Sequence, residues 1–96
     1  SDQTAKSTEP DPAGVSLDGK TTQVLVLVKR RIDVCTTPPA VGIALAELAD
    51  QIESLDKRPR LIARGYAAAV LKTLEKQPLT EDDQRVKDAV DRLVGG

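Results

Sequence analysis

The chain has 96 residues, of which 40% are hydrophobic, and its 14 basic and 15 acidic residues nearly cancel. This length suits one small domain, and the charge balance argues against a protein whose whole surface attracts nucleic acid or an anionic membrane. A single cysteine excludes an intramolecular disulfide, and the longest apolar run, Val24–Val28, is too short to span a bilayer. We therefore expect a soluble, cytoplasmic protein without a disulfide framework.

The first twenty residues are dominated by Ser, Thr, Pro, Gly, Asp and Lys, with Val15 and Leu17 as their only large aliphatic side chains. Such a composition buries too little apolar surface to offset the entropy cost of ordering, so residues 1–20 are predicted to be a disordered tail. Asp18-Gly19 is expected to form a turn before the first ordered element. Residues 21–96 are predicted to form a single, mostly helical domain.

The segment TTQVLVLVKRRIDVC, residues 21–35, combines consecutive aliphatic residues with consecutive basic ones. Residues branched at Cβ are enriched on both sides of the basic triplet, which favours a strand over Gln23–Val34. Periodicity does not decide the structure of so short a run, so a helix capped by Thr21 or Thr22 is the alternative.

Three helices are predicted after this segment. The first begins at a Thr36 or Thr37 cap, where prolines at the first helical positions cost no hydrogen bond. Aliphatic residues then recur at offsets of three and four, which is typical of a helix with one buried face. These residues are Val41, Leu45, Leu48, Ile52 and Leu55.

The second predicted helix opens within Asp56–Arg60 and continues over residues 61–76. Its middle is apolar on every side, so other elements are expected to surround it. Glycine lowers helix stability by about 1 kcal/mol relative to alanine, so Gly65 suggests that a neighbouring helix approaches closely there.

The third predicted helix begins at Thr80 and ends at Gly95-Gly96. Asp83 follows the threonine by three residues, which is a variant of the capping box. The elements together predict a mainly α fold with one N-terminal strand, in the order β-α-α-α, with strand pairing between subunits. The alternative is an all-α four-helix bundle whose first helix spans residues 22–34.

The side chains that carry most enzyme chemistry are missing from the sequence. There is no histidine, and Cys35 has neither a histidine nor a second cysteine with which to form a nucleophilic pair or a zinc site. The consecutive carboxylates Glu81, Asp82 and Asp83 are better explained by stabilisation of a helix dipole than by acid-base catalysis. We therefore expect a protein that is not an enzyme and that binds no cofactor, metal ion or small-molecule substrate.

Two basic clusters are the candidate nucleic-acid-binding or anion-binding residues. One follows the aliphatic run, and the other surrounds the first turns of the second predicted helix. Cations at a helix start oppose the helix dipole unless an anion or an acidic neighbour is present. Glu53 and Asp56 are the candidate acidic neighbours. The clusters are Lys29, Arg30 and Arg31, and Lys57, Arg58, Arg60 and Arg64.

A lone strand leaves its backbone donors and acceptors without partners, so the predicted strand requires a second strand. The simplest partner is the same strand of a second copy across a two-fold axis, which predicts a homodimer or a higher oligomer. The candidate interface residues are Val24, Val26, Val28, Ile32, Val34 and Tyr66.

A basic two-stranded ribbon followed by two helices resembles, in outline, the ribbon-helix-helix DNA-binding proteins. The outline covers Lys29–Lys76, and the third helix departs from it. The resemblance implies a strand in the major groove and the start of the second helix on phosphate. The favoured hypothesis is a non-enzymatic assembly or adaptor protein that acts through homo-oligomerisation and contacts with other proteins. The alternative is a dimeric DNA-binding regulator of this type.

Overall fold

A computed structural model of the chain describes residues 18–94, which form five α-helices and no β-strand. Within these residues the fold is therefore all-α, as the alternative predicted, but it has five helices instead of four. Residues 1–17 of the predicted tail lie outside the described residues, whereas residues 18–20 belong to the start of the first helix. The helices are α1 (Gly19–Asp33), α2 (Pro38–Glu47), α3 (Ala49–Glu53), α4 (Lys57–Leu74) and α5 (Glu81–Val94).

The prediction of a strand over Gln23–Val34 is wrong, because this segment is helical as far as Asp33. The cap is Asp18, whose carboxylate accepts a hydrogen bond from the Thr21 backbone N–H at 2.7 Å. That hydrogen bond holds the pKa of the Asp18 carboxyl below its usual value. The predicted turn at Asp18-Gly19 is thus the helix start, and neither Thr21 nor Thr22 is the cap.

Burial of one face explains why α1 is helical despite its β-branched residues. Leu25, Val28 and Ile32 are buried against the other helices, at offsets of three and four. Tertiary packing of this face outweighs the modest strand preference of valine and isoleucine. Because a helix satisfies its own backbone groups, the argument for strand pairing between subunits no longer holds.

The predicted helix after Thr37 is divided into α2 and α3. Thr37 caps α2 and accepts a hydrogen bond from the Ala40 backbone N–H at 3.4 Å, and prolines occupy the first helical positions as predicted. At Leu48 the backbone leaves helical geometry, with φ −96° and ψ 4°, before α3 begins. The apolar face continues across the break, and Val41, Leu48 and Ile52 are buried.

α4 and α5 form an antiparallel pair. After the end of α4 at Leu74, Lys76 adopts a left-handed conformation, and the Gln77 backbone N–H donates to the Lys72 carbonyl at 2.8 Å. α5 begins with the predicted capping box: the Asp83 N–H donates to Thr80 Oγ1 and the Thr80 N–H donates to the Asp83 carboxylate, each at 3.0 Å.

Two contacts show how closely α4 and α5 approach each other. A Cβ atom placed on Gly65 meets Val86 Cγ1 at 3.2 Å, so the predicted close packing at this glycine is confirmed. Near the connecting turn, Lys72 Nζ lies 2.5 Å from the Asp83 carboxylate. That ion pair, together with the Thr80 N–H, lowers the pKa of Asp83.

A polar cluster beside the core joins α1, α4 and α5. Tyr66 is only 2% exposed, and its hydroxyl donates a hydrogen bond to the Asp33 carboxylate. Lys29 Nζ lies 2.6 Å from the same carboxylate, 3.4 Å from Asp91 and 5.6 Å from the centre of the Tyr66 ring. The cluster therefore fixes the register of three helices around one phenol.

Candidate functional site

A groove between the beginning of α4 and the end of α5 is the candidate functional site. Its volume is about 310 Å³, and its walls come from one face of each helix. The apolar lining residues are Leu61, Ile62, Val86 and Ala89, and the basic ones are Arg58, Arg85 and Arg92. We call these seven residues the α4–α5 groove.

The helical spacing of the lining residues explains how the groove forms. On α4, Leu61 and Ile62 follow Arg58 by three and four residues, so the three side chains share one face. That face lies beside the buried face that carries Ala63 and Tyr66, so it is at the edge of the core and partly open to solvent. Leu61 is consequently 55% exposed although it is a large aliphatic residue.

The charged residues that line the groove all have one sign. Among the described residues that line it, three are arginines and none is acidic. Lys57 adds a fourth cation where it adjoins Arg58 and Leu61. Arg85 lies 2.8 Å from Asp82, but both side chains are largely exposed, so solvent screens this pair. The groove thus presents apolar surface framed by positive charge.

The basic cluster predicted around the start of α4 is divided between two surfaces. Arg60 Nη1 lies 3.7 Å from Glu53, and Arg64 also pairs with Glu53. These two cations therefore have the acidic neighbour that the sequence suggested. Lys57 and Arg58 lie on the other side, at the α4–α5 groove.

The basic triplet on α1 does not form one patch, because consecutive helical residues point about 100° apart. Lys29 faces Asp33 and Tyr66. Arg31 pairs with Glu47 of α2. Arg30 is exposed on the outer face of α1, so a shared anion site of the three residues has no structural basis.

The residues predicted to form an oligomer interface lie mostly inside the chain. Val28, Ile32 and Tyr66 are buried in its own core, against which Val24 also packs. Val26 is half-buried, and Val34 is 74% exposed. Of the six predicted residues, Val34 alone keeps a large exposed apolar surface within the described part of the chain.

Two of the exposed large hydrophobic residues were not identified from the sequence. Leu61 and Ile43, at 55% and 61% exposure, were not singled out. Both are large aliphatic residues that fall outside the buried stripes of their helices, which is the signal that marks them. The arginines of α5 were missed too, because their role depends on the packing of α5 against α4.

Within residues 18–94, no three Cys, Asp or Glu side chains come together in a group able to hold a metal ion. None of the helices described here is long and apolar enough to cross a membrane. Comparison with protein-family models, with curated proteins and with solved structures finds no match to this chain.

Proposed function

We propose that this protein is a non-enzymatic interaction module that binds an acidic, amphipathic segment of another protein in the α4–α5 groove. The observation that carries the proposal is the exposed Leu61 among side chains of a single charge sign. An acidic helix with an apolar face complements both features of this surface.

The apolar part of the groove supplies the affinity. Full burial of a leucine side chain is worth about 1.5–3 kcal/mol, and more than half of Leu61 remains to be buried by a partner. Ile62, Val86 and Ala89 continue the apolar surface beneath it. Grooves of this kind accept the apolar face of a helix at positions spaced by three and four residues.

The basic residues supply the preference for an acidic partner. Arg58, Arg85 and Arg92 bring positive charge to the groove, and a carboxylate that reaches them forms a charge-assisted hydrogen bond. A basic segment meets like charge and is repelled. Binding should therefore weaken as salt screens these exposed charges.

DNA binding is the weaker hypothesis for the same cations. The ribbon that it required is absent from residues 18–94, where the basic triplet lies on α1. Glu47 and Glu53 pair with Arg31, Arg60 and Arg64, which reduces the positive field at those positions.

The test uses a synthetic helical peptide with leucine on one face and glutamate on the other. Fluorescence anisotropy should give a micromolar dissociation constant, and amide shifts in NMR spectra should map to Leu61, Val86 and Ala89. Leu61→Glu should weaken binding at least about tenfold, because it removes apolar burial and adds a like charge. Leu27→Glu is the matched control, since Leu27 is an exposed leucine at 38% that lies outside the groove.

Three results would contradict the proposal. The first is equal binding of a peptide that carries lysine in place of glutamate. The second is an equal loss of binding in both leucine variants. The third is binding of duplex DNA, steeply weakened by salt, with no binding of the acidic peptide, which would assign the cations to nucleic acid.

A further inference from the structure

A second exposed apolar surface lies where α1 meets α2. Val34 and Ile43 line one shallow depression there and are 74% and 61% exposed, the highest values among the exposed large hydrophobic residues of the described chain. Leu27 precedes Val34 by seven residues, which places it two turns earlier on the same side of α1. We call Arg31, Val34, Ala40, Ile43 and Glu47 the α1–α2 surface.

The charges on this surface have both signs. Arg31 of α1 and Glu47 of α2 line the same depression as the two aliphatic residues and pair with each other. Their side chains are 44% and 50% exposed, so both remain accessible to a partner. This balance contrasts with the α4–α5 groove, whose charged lining residues are all basic.

We propose that the α1–α2 surface binds a second copy of the same surface in a two-fold symmetric dimer. In such a dimer a residue i of one copy meets j of the other, and j meets i. A patch that carries one basic and one acidic residue satisfies this rule. Arg31 meets Glu47 of the partner subunit, Glu47 meets the partner's Arg31, and the aliphatic residues pack between the two ion pairs.

The net charge of the chain, −1, allows two copies to approach without strong repulsion. The described part of the chain is also small, so its own core buries a smaller share of its surface than that of a larger domain. Covering Val34 and Ile43 removes apolar area from water that the single chain leaves exposed. The dimer leaves the α4–α5 groove free, so self-association and partner binding use separate surfaces.

The first experiment measures solution mass by light scattering at micromolar concentration. The wild-type chain should have twice the monomer mass of 10.3 kDa. Ile43→Glu should weaken the dimer at least about 100-fold, because it buries a carboxylate against apolar side chains. Leu61→Glu is the control for an exposed aliphatic residue on the other surface and should leave the dimer intact.

The second experiment separates contacts between copies from the Arg31–Glu47 pair within one copy. An Arg31→Glu chain carries two acidic residues at these positions, and a Glu47→Arg chain carries two basic ones. Each variant alone should be a monomer because its copies repel each other. An equimolar mixture should restore the dimer, since every contact between the chains then joins opposite charges. If the Arg31–Glu47 pair acts only within one copy, mixing the two variants should not restore the dimer.

The proposal is overturned if the wild-type chain stays monomeric at millimolar concentration, or if its dimer survives Ile43→Glu. It is also overturned if the mixed charge variants remain monomers while circular dichroism shows that both are folded. Dissociation of the dimer by Leu61→Glu would assign self-association to the α4–α5 groove. A wild-type chain that forms the dimer but does not bind the acidic peptide would instead contradict the proposed function and leave this inference standing.

Discussion

Lys76 adopts a backbone conformation that its side chain disfavours. Its φ of 60° is left-handed, and it follows the end of α4 at the position where glycine is most common. The conformation is held by the hydrogen bonds from Lys76 and Gln77 to the Thr73 and Lys72 carbonyls, at 3.1 and 2.8 Å. These hydrogen bonds therefore maintain a conformation that the Cβ atom of Lys76 makes sterically unfavourable.

Lys76→Gly is expected to raise the free energy of unfolding by about 1 kcal/mol, because glycine adopts positive φ without the steric penalty of a Cβ atom. Urea unfolding followed by circular dichroism measures the change. Lys76→Ala is the control: it removes the long side chain but retains Cβ, so it should give no comparable gain. Equal effects of the glycine and alanine variants would show that the backbone conformation is not the cause.

At the level of elements, Gly42 of α2 and Gly65 of α4 differ in what surrounds them. Apart from its chain neighbours and the backbone of its own helix, no atom lies within 4 Å of a Cβ built on Gly42, whereas a Cβ on Gly65 lies 3.2 Å from Val86 Cγ1. Alanine favours a helix over glycine by about 1 kcal/mol at either position. The environments therefore predict different outcomes for the same substitution.

Gly42→Ala should raise the free energy of unfolding by about 0.5–1 kcal/mol. Gly65→Ala should give no gain or a small loss, because Val86 must shift to admit the new methyl group. In a Val86→Ala background the gain at Gly65 should reappear, and a double-mutant cycle should yield a coupling energy of about 1 kcal/mol. A gain at Gly65 equal to that at Gly42 would contradict close contact between α4 and α5.

Across the whole molecule, local signals in the sequence predicted several of the helix starts. Thr37, as one of two candidate caps, and the Thr80–Asp83 capping box were predicted because their hydrogen bonds involve neighbours three residues away. α1 was predicted only as the alternative, because the identity of its residues favours a strand, whereas burial of its Leu25, Val28 and Ile32 face requires the other helices. The strand preference of individual residues contains no information about the tertiary packing that outweighs it.

The candidate site was predicted only in part, for a related reason. Lys57 and Arg58 were identified as cations at a helix start, but the α4–α5 groove exists only when α5 packs against α4. Its remaining basic residues, Arg85 and Arg92, are unremarkable along the sequence. An exposed aliphatic residue such as Leu61 indicates a binding surface only when the structure shows that its side chain is not part of the core.

Because of the cluster that joins α1, α4 and α5, we expect the stability of the whole fold to decrease at alkaline pH. Burial and, second, the hydrogen bond to Asp33 raise the pKa of Tyr66 to about 12. The hydrogen bond to Asp33 also raises the pKa of Lys29. Both groups therefore bind their protons more tightly in the folded chain than in the unfolded chain.

The sign of the effect follows from these shifts. Below the ordinary tyrosine pKa of about 10, the phenol is neutral in both states and its contribution to stability is fully present. As the pH rises from there to about 12, the unfolded chain releases the proton while the folded chain retains it. The free energy of unfolding should therefore fall through this window, and Lys29 adds to the fall.

Two measurements check this prediction. Urea unfolding across the window gives the loss of stability, and near-ultraviolet absorbance gives the ionisation of Tyr66 itself, which is the only aromatic residue in the chain. Tyr66→Phe should lower stability at neutral pH by about 1 kcal/mol, because Asp33 loses a hydrogen-bond donor, and should flatten the alkaline decline. Ionisation of Tyr66 in the folded protein at its ordinary pKa would mean that the phenol is not buried between the three helices.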